Sequence, residues 1–303
     1  MPISNSIDNL FEANIKEANA SVNILDESIL NGTPKSYKIL CTVDASFIGI
    51  SVLDIRETKF VGLETFHFPK PLNEEQLSGK ILSMAQQSSI LKKVKFNKVS
   101  VQLSNNLYTL VPSVLFRKEE AEKYFFFNHS ENSSGNIEQE QIKSFDAVNI
   151  FSVSDKVYAG LEKIFEHFSL HHHITSILDA VRLRHDKHSG MTIHINFRSA
   201  WLDVIVTESK KLILCNSFNF KSVEDAVYYV LLVCEQLSLN PQSVEVEMMG
   251  EIEKESAISN LMQNYISRIH FSERIKTLQF SYGFDTIPSH FYYSVFSHAL
   301  CES

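Results

Sequence analysis

The chain has 303 residues, long enough for two ordinary domains, and 44% of them are hydrophobic, with 22 phenylalanines to build cores. Its formal net charge of −8 argues against a nucleic-acid backbone or an anionic membrane as the main partner. The opening MPISNSIDNLFEANIKEANA lacks a basic n-region and an apolar h-region, and no apolar run reaches the roughly 18 residues of a spanning helix, so a cytoplasmic protein without membrane insertion is expected.

Residues 1–36 read as an N-terminal extension. Tyr37–Val43, Phe47–Asp54 and Lys59–Phe68 then form three β-rich runs, separated by Asp44–Ser46 and Arg56–Thr58. Asn73-Glu-Glu-Gln76 is a capping box, and Leu77, Ile81, Met84 and Ala85 follow on one helical face. Lys92, Lys93, Lys95 and Lys98 come after this helix, where cations offset the C-terminal dipole, so the cluster is read as structural. Val99–Leu103 is the next strand, then Leu107–Leu115 and a helix around Glu119–Phe125. The polar stretch from Asn128 to Lys143 reads as a mobile loop or linker. Ala147–Val153 is strand-like, Ser154 caps a helix carrying Val157, Leu161, Ile164, Phe165 and Phe168, and Ile174, Ile177, Leu178 and Val181 mark one more helix.

The second half, from residue 188, repeats this order. Met191–Phe197, Trp201–Thr207 and Leu212–Phe220 are strands, and Ser222-Val-Glu-Asp225 opens a helix bearing Val223, Val227, Val230, Cys234 and Leu237. Val244–Met249 is a strand, Ile258, Leu261, Met262 and Tyr265 mark a helix, and a strand within Ile266–Tyr282 and a helix after Pro288 complete the chain. Trp201 lies 154 positions after Phe47, Ser222 lies 149 after Asn73, and Val244 lies 145 after Val99. A nearly constant offset is what a duplication predicts. The expected fold is therefore α/β, two tandem βββαβαβα domains at residues 37–187 and 188–303, the first carrying an insertion. Either Val99–Leu103 or Ala147–Val153 is the counterpart of Val244–Met249.

Two such units in tandem resemble the actin-like ATPase superfamily, whose halves are each ribonuclease-H-like. More closely, Leu110-Val-Pro-Ser-Val-Leu-Phe116, Lys118-Glu-Glu-Ala-Glu-Lys-Tyr124, Phe127–Asn128, Ser51-Val-Leu-Asp54 and VSDKVYAGLEKIFEHFSLHHHITSIL resemble an uncharacterised Bacteroidetes family, a domain of unknown function with that duplicated fold. The likeness runs through nearly the whole chain past residue 36. These motifs are packing patterns, so the resemblance implies a fold and no activity.

The actin-like resemblance implies where a nucleotide would sit: between one hairpin from each half, beside a glycine-rich turn. At those places stand Asp44 and Ser46 in the first hairpin, Asn196 and Arg198 in the second, and Gly250 and Glu251 after the later strand. The first hairpin keeps an acid without glycine, the second has neither, and the turn has one glycine followed by an acid. All nine glycines stand at least thirteen residues apart, so no GxG, Walker loop or dinucleotide fingerprint exists. ATP is not expected to bind, no cofactor is assigned, and Arg198 is read as a structural ion pair between the halves.

Other chemistries are weaker still. A ribonuclease-type nuclease needs clustered carboxylates for two metal ions, yet Leu103 is followed by Ser104–Asn105 and Phe197 by Arg198. The four cysteines stand far apart and read as reduced thiols. His167, His171, His172 and His173 crowd together, with His185, His188 and His194 further on, but adjacent residues on a strand point to alternating faces, so no metal site is assigned. No GxSxG elbow identifies a serine nucleophile. The aromatic runs at Tyr124–Phe127 and Phe291–Tyr293 with Phe296 are read mostly as core, with some surface left for a partner. The leading expectation is a non-catalytic scaffold or adaptor binding another protein. The alternative is a weak ATP-binding actin-like ATPase using Asp44 and the cleft.

Overall fold

The computed structural model describes residues 21–27, 29, 36–130, 135–184 and 190–301. The expected domain boundary at 187/188, His185, His188 and nearly all of the N-terminal extension lie outside these residues.

Strand β1 (Val22–Leu25) precedes β2 (Tyr37–Asp44), β3 (Phe47–Asp54) and β4 (Lys59–His67). The sequence YKILCTVD of β2 is buried along its whole length, as a central strand covered on both faces requires. Helix α1 (Glu74–Gln87) starts at the expected capping box. The Gln76 backbone N–H donates to Asn73 Oδ1 at 2.9 Å, and the Asn73 N–H donates to Gln76 Oε1 at 3.1 Å. Helix α2 (Ser89–Lys93) carries Lys92 and Lys93 in its last turn. Then come β5 (Lys98–Ser104), β6 (Tyr108–Pro112), α3 (Ala121–Asn128), β7 (Asn136–Ile142), β8 (Ala147–Val153), α4 (Asp155–Glu162), β9 (Ser169–His172) and α5 (His173–Arg182).

Three details differ from expectation. The polar stretch after Asn128 contains a strand: β7 pairs with β8 in antiparallel register from Asn136↔Val153 to Ile142↔Ala147. It is an edge strand, so the apolar side chains that announce a buried strand are nearly absent. Ser154 occupies the N-cap of α4 but makes no capping hydrogen bond, and the helix ends at Glu162, before Phe165 and Phe168. The three adjacent histidines do not share a strand, because His172 ends β9 and His173 begins α5.

The second half supplies β10 (Met191–Phe197), β11 (Trp201–Glu208), β12 (Lys211–Asn219), α6 (Val223–Gln236), β13 (Glu245–Gly250), α7 (Ala257–Gln263), β14 (Ile269–Phe271), β15 (Gln279–Phe280) and α8 (Tyr293–Ser297). The Ser222 cap of α6 closes a box with Asp225.

The two large sheets share one topology. The first runs β4-β3-β2-β5-β9 and the second β12-β11-β10-β13-β14, in each case three antiparallel strands followed by two parallel ones. By position β5, and not β8, corresponds to β13. Strand β8 is the centre of a separate sheet, β6-β8-β7, inserted after β5 together with α3. Strand β15 leaves its own half and pairs in parallel with β4 of the first sheet. Ile275 and Leu278 before it and Phe284, Ile287, Tyr292, Tyr293, Val295 and Phe296 after it join the first core, where Phe280 stacks on Phe60 and Phe284 and Phe296 meet the same ring at steeper angles. The second core is built on Ile193, Ile195, Val204, Val206, Val230 and Met248.

Candidate functional site

The β2–β3 and β10–β11 turns face each other, and the six candidate residues gather around them. Asp44 ends β2 and sits at the tight turn into β3. Its Oδ1 accepts the Ser46 backbone N–H at 2.7 Å and the Ser46 hydroxyl at 2.8 Å. Arg198, one residue past β10, reaches across to Asp44, with Nη2 to Oδ2 at 2.9 Å. Its Nη1 lies 3.0 Å from Glu251 Oε1 and donates to Ser294 Oγ of α8 at 3.3 Å. The guanidinium carbon stands 5.4 Å from the centre of the Phe47 ring. Arg198 and Asp44 are only 2% and 1% exposed, so this pair lies in the interior.

Burial alone would favour the neutral guanidine, but the Glu251 and Asp44 carboxylates outweigh it and push the Arg198 pKa up. Glu251 moves up too, because burial penalises its charged form more than Arg198 favours it. His67, next to this cluster, is driven down to about 4 by burial, aided by the Arg198 charge.

Gly250 and Asn196 shape the adjoining turn. Gly250 has φ +90, and a Cβ there would stand 2.3 Å from the Phe197 carbonyl oxygen and 2.7 Å from Asn196 Oδ1. The turn's backbone N–H groups are committed inside the protein: Gly250 donates to the His290 carbonyl at 2.9 Å and Glu251 to the Phe197 carbonyl at 2.8 Å.

A second buried network lies beside the first and was not apparent in the sequence. His173 Nε2 of the first half is 3.0 Å from Asp203 Oδ2 of the second, and both side chains are fully buried. Asn196 Nδ2 donates to the same Oδ2 at 2.9 Å, and Ser217 Oγ donates to Oδ1. Burial pushes the Asp203 carboxyl up, but the His173 charge and these hydrogen bonds hold it below its ordinary value. The one available signal was an acid inside the apolar run WLDVIV of β11. A third link joins Arg184, just past α5, to Glu247 of β13, which also lies 3.0 Å from His194. The burial cost of the Glu247 carboxylate is outweighed by His194 and Arg184, and its pKa falls.

The arrangement joins the halves through charge pairs across the two turns. A cavity of about 410 Å³ opens elsewhere, between β1 and residues Thr286–Tyr292. Among the described residues no helix is long and apolar enough to cross a membrane. The insertion exposes several large apolar side chains: Val114, Leu115 and Phe127 are 90%, 63% and 88% exposed, whereas Phe125 is fully buried.

The chain belongs to the family described as "Protein of unknown function (DUF3822)", whose pattern matches residues 27–269. A protein from Bacteroides thetaiotaomicron VPI-5482, described as having an actin-like ATPase fold and unknown function, is 19% identical with a TM-score of 0.69, over 79% of this chain and 91% of that one. A chain of the PilM-PilN type IV pilus biogenesis complex is 10% identical with a TM-score of 0.58, over 88% and 98%. The ethanolamine utilization protein EutJ from Carboxydothermus hydrogenoformans is 11% identical with a TM-score of 0.47, over 91% and 94%. No curated protein matches the chain. The Bacteroides likeness shows that the fold is that of the actin-like ATPases.

Proposed function

We propose that this chain is a non-catalytic, cytoplasmic actin-like scaffold that binds another protein, its ancestral nucleotide site replaced by an internal ion pair. The observation that carries this reading is the buried Arg198–Asp44–Glu251 cluster. A guanidinium lies between the two turns that in an ATPase would present backbone N–H groups to phosphate, and two carboxylates already neutralise it. The shared strand order supports descent from one duplicated ribonuclease-H-like unit, with domains near residues 37–187 and 188–303. A partner-binding role draws support from the exposed Val114, Leu115 and Phe127 side chains and from a similar fold found in a PilM-PilN complex.

Isothermal titration with Mg-ATP separates this from an ATPase. No binding tighter than about 100 μM is expected. Tighter binding that disappears in Asp44→Ala overturns the non-catalytic reading. For the partner, affinity capture with wild type is compared with Val114→Ser/Phe127→Ser, which leaves both cores intact. A protein retained by the wild type and lost by the double variant supports the scaffold, and an inert monomer in cell extract counts against it.

A further inference from the structure

Away from the hairpins, three ligand types from three parts of the chain converge. One carboxylate oxygen of Glu140 in β7, one ring nitrogen of His171 in β9 and the Cys301 sulfur near the chain end lie within 4.8 Å of one another. Among the described residues this is the one group of three or more such side chains that could hold a metal ion. We infer that Glu140, His171 and Cys301 form a zinc site that clips the C-terminal turn to the inserted sheet.

The chemistry of the set points to zinc. A thiolate, an imidazole and a carboxylate are the donors a borderline-soft ion takes, and calcium or magnesium would ask for oxygen alone. Tetrahedral zinc at its usual bond lengths spaces ligand atoms about 3.3–3.6 Å apart, so shifts on the order of 1 Å, which part Glu140 Oε1 from His171 Nδ1 to admit the ion, complete the set. Glu140 is already aimed. Its Oε2 accepts the His172 backbone N–H at 3.1 Å, which leaves Oε1 directed at His171 Nδ1, 2.5 Å away. The His171 ring is braced edge-on by His298 at 5.9 Å between centroids. Glu140 and His171 are 14% and 13% exposed, open enough for an ion to enter and closed enough to strengthen its bonds.

On binding, a proton on His171 Nδ1 leaves for Nε2 or for water, the Cys301 thiol gives its proton to water, and the fourth position is left for a water ligand. No redox change is involved. The clip joins β7 at the edge of the insertion, β9 at the edge of the first sheet, and the residues after α8. The triplet of histidines contributes only one ligand, because His172 and His173 turn into the core.

Cobalt(II) provides the test, since a thiolate ligand gives an intense near-ultraviolet charge-transfer band. Full-length protein titrated with Co²⁺ should show that band at one equivalent, and Zn²⁺ should bleach it. The band should vanish in Cys301→Ser. Zinc affinity there and in His171→Asn should fall by more than the ~10–100-fold that loss of an outer-shell partner costs. Glu140→Gln, which keeps the size of the side chain, should also weaken binding while circular dichroism reports an unchanged fold. Absence of a thiolate band in the wild type, or equal zinc affinity in wild type and Cys301→Ser, overturns the assignment.

Discussion

The hydroxyl oxygens of Ser46 and Ser199, one in each hairpin turn, lie 2.5 Å apart. The two turns therefore touch directly, side chain to side chain. Arg198 of the second hairpin pairs with Asp44 of the first and with Glu251, so the same two turns are also joined by charge.

Removal of Arg198 should be costly. Arg198→Met leaves Asp44 and Glu251 buried without their cation, and loss of one partner of a buried pair costs about 3–5 kcal/mol. Adding Asp44→Asn and Glu251→Gln should recover most of that loss, because the uncompensated charges are removed. Urea denaturation of the single and triple variants checks this. A loss below about 1 kcal/mol in Arg198→Met would show that the pair is not desolvated.

Stability should fall as pH drops from about 6.5 towards 4. His67 has a folded pKa of about 4 against an ordinary 6.5, so the unfolded chain takes up the proton first and gains on the native state. The contribution is complete above 6.5, amounts to roughly 3 kcal/mol, and is lost as pH falls through the folded value. His172 and His290 are lowered in the same direction by burial and add to the slope. Denaturant midpoints at pH 7, 5.5 and 4.5 should decline less in His67→Gln than in wild type. Parallel declines would falsify the assignment to His67.

Two glycines should respond oppositely to alanine. Gly250→Ala forces a side chain into φ +90 with a Cβ 2.3 Å from a backbone oxygen, a strain of order 1–3 kcal/mol or more. Gly79 lies inside α1 with nothing within 4 Å of an added Cβ, so Gly79→Ala should stabilise by roughly 0.5–1 kcal/mol. Thermal melts of the two variants should move in opposite directions, and a shared direction refutes the reading of one turn or the other.

Neighbouring phenylalanines of α3 should separate folding from surface function. Phe125→Ala removes a fully buried ring and should cost about 3–5 kcal/mol. Phe127→Ala changes a ring that is 88% exposed, and its effect should stay within about 0.5 kcal/mol. If Phe127→Ala destabilises as much as Phe125→Ala, the exposed patch is a packing surface and not a docking one.

Much of the frame was legible because its signals are local. The capping boxes at Asn73 and Ser222 formed as their spacing dictates, and strands such as FIGISVLD and WLDVIVTE are fully or nearly fully buried. The gathering of Asp44, Arg198 and Glu251 followed from the order of the elements and the actin-like resemblance. What escaped was non-local or one-sided. NIEQEQI of β7 shows little apolar alternation because an edge strand buries little of its surface. His173 and Asp203 are 30 positions apart and carry no mark of their pairing. Neither Glu140 nor Cys301 announces a partner. Only the tertiary fold brings them to His171.

The return of the chain end to the first sheet also sets a timetable for synthesis. Phe280 pairs beside Phe60, some 220 positions earlier, so that border of β4 is made long before the segment that covers it. At roughly 5–20 residues per second the ribosome needs on the order of 10–40 s to supply β15. Through that interval a nascent first half presents an open hydrogen-bonding rim and the apolar surface meant for Phe284 and Phe296, the kind of exposure on which chaperones act.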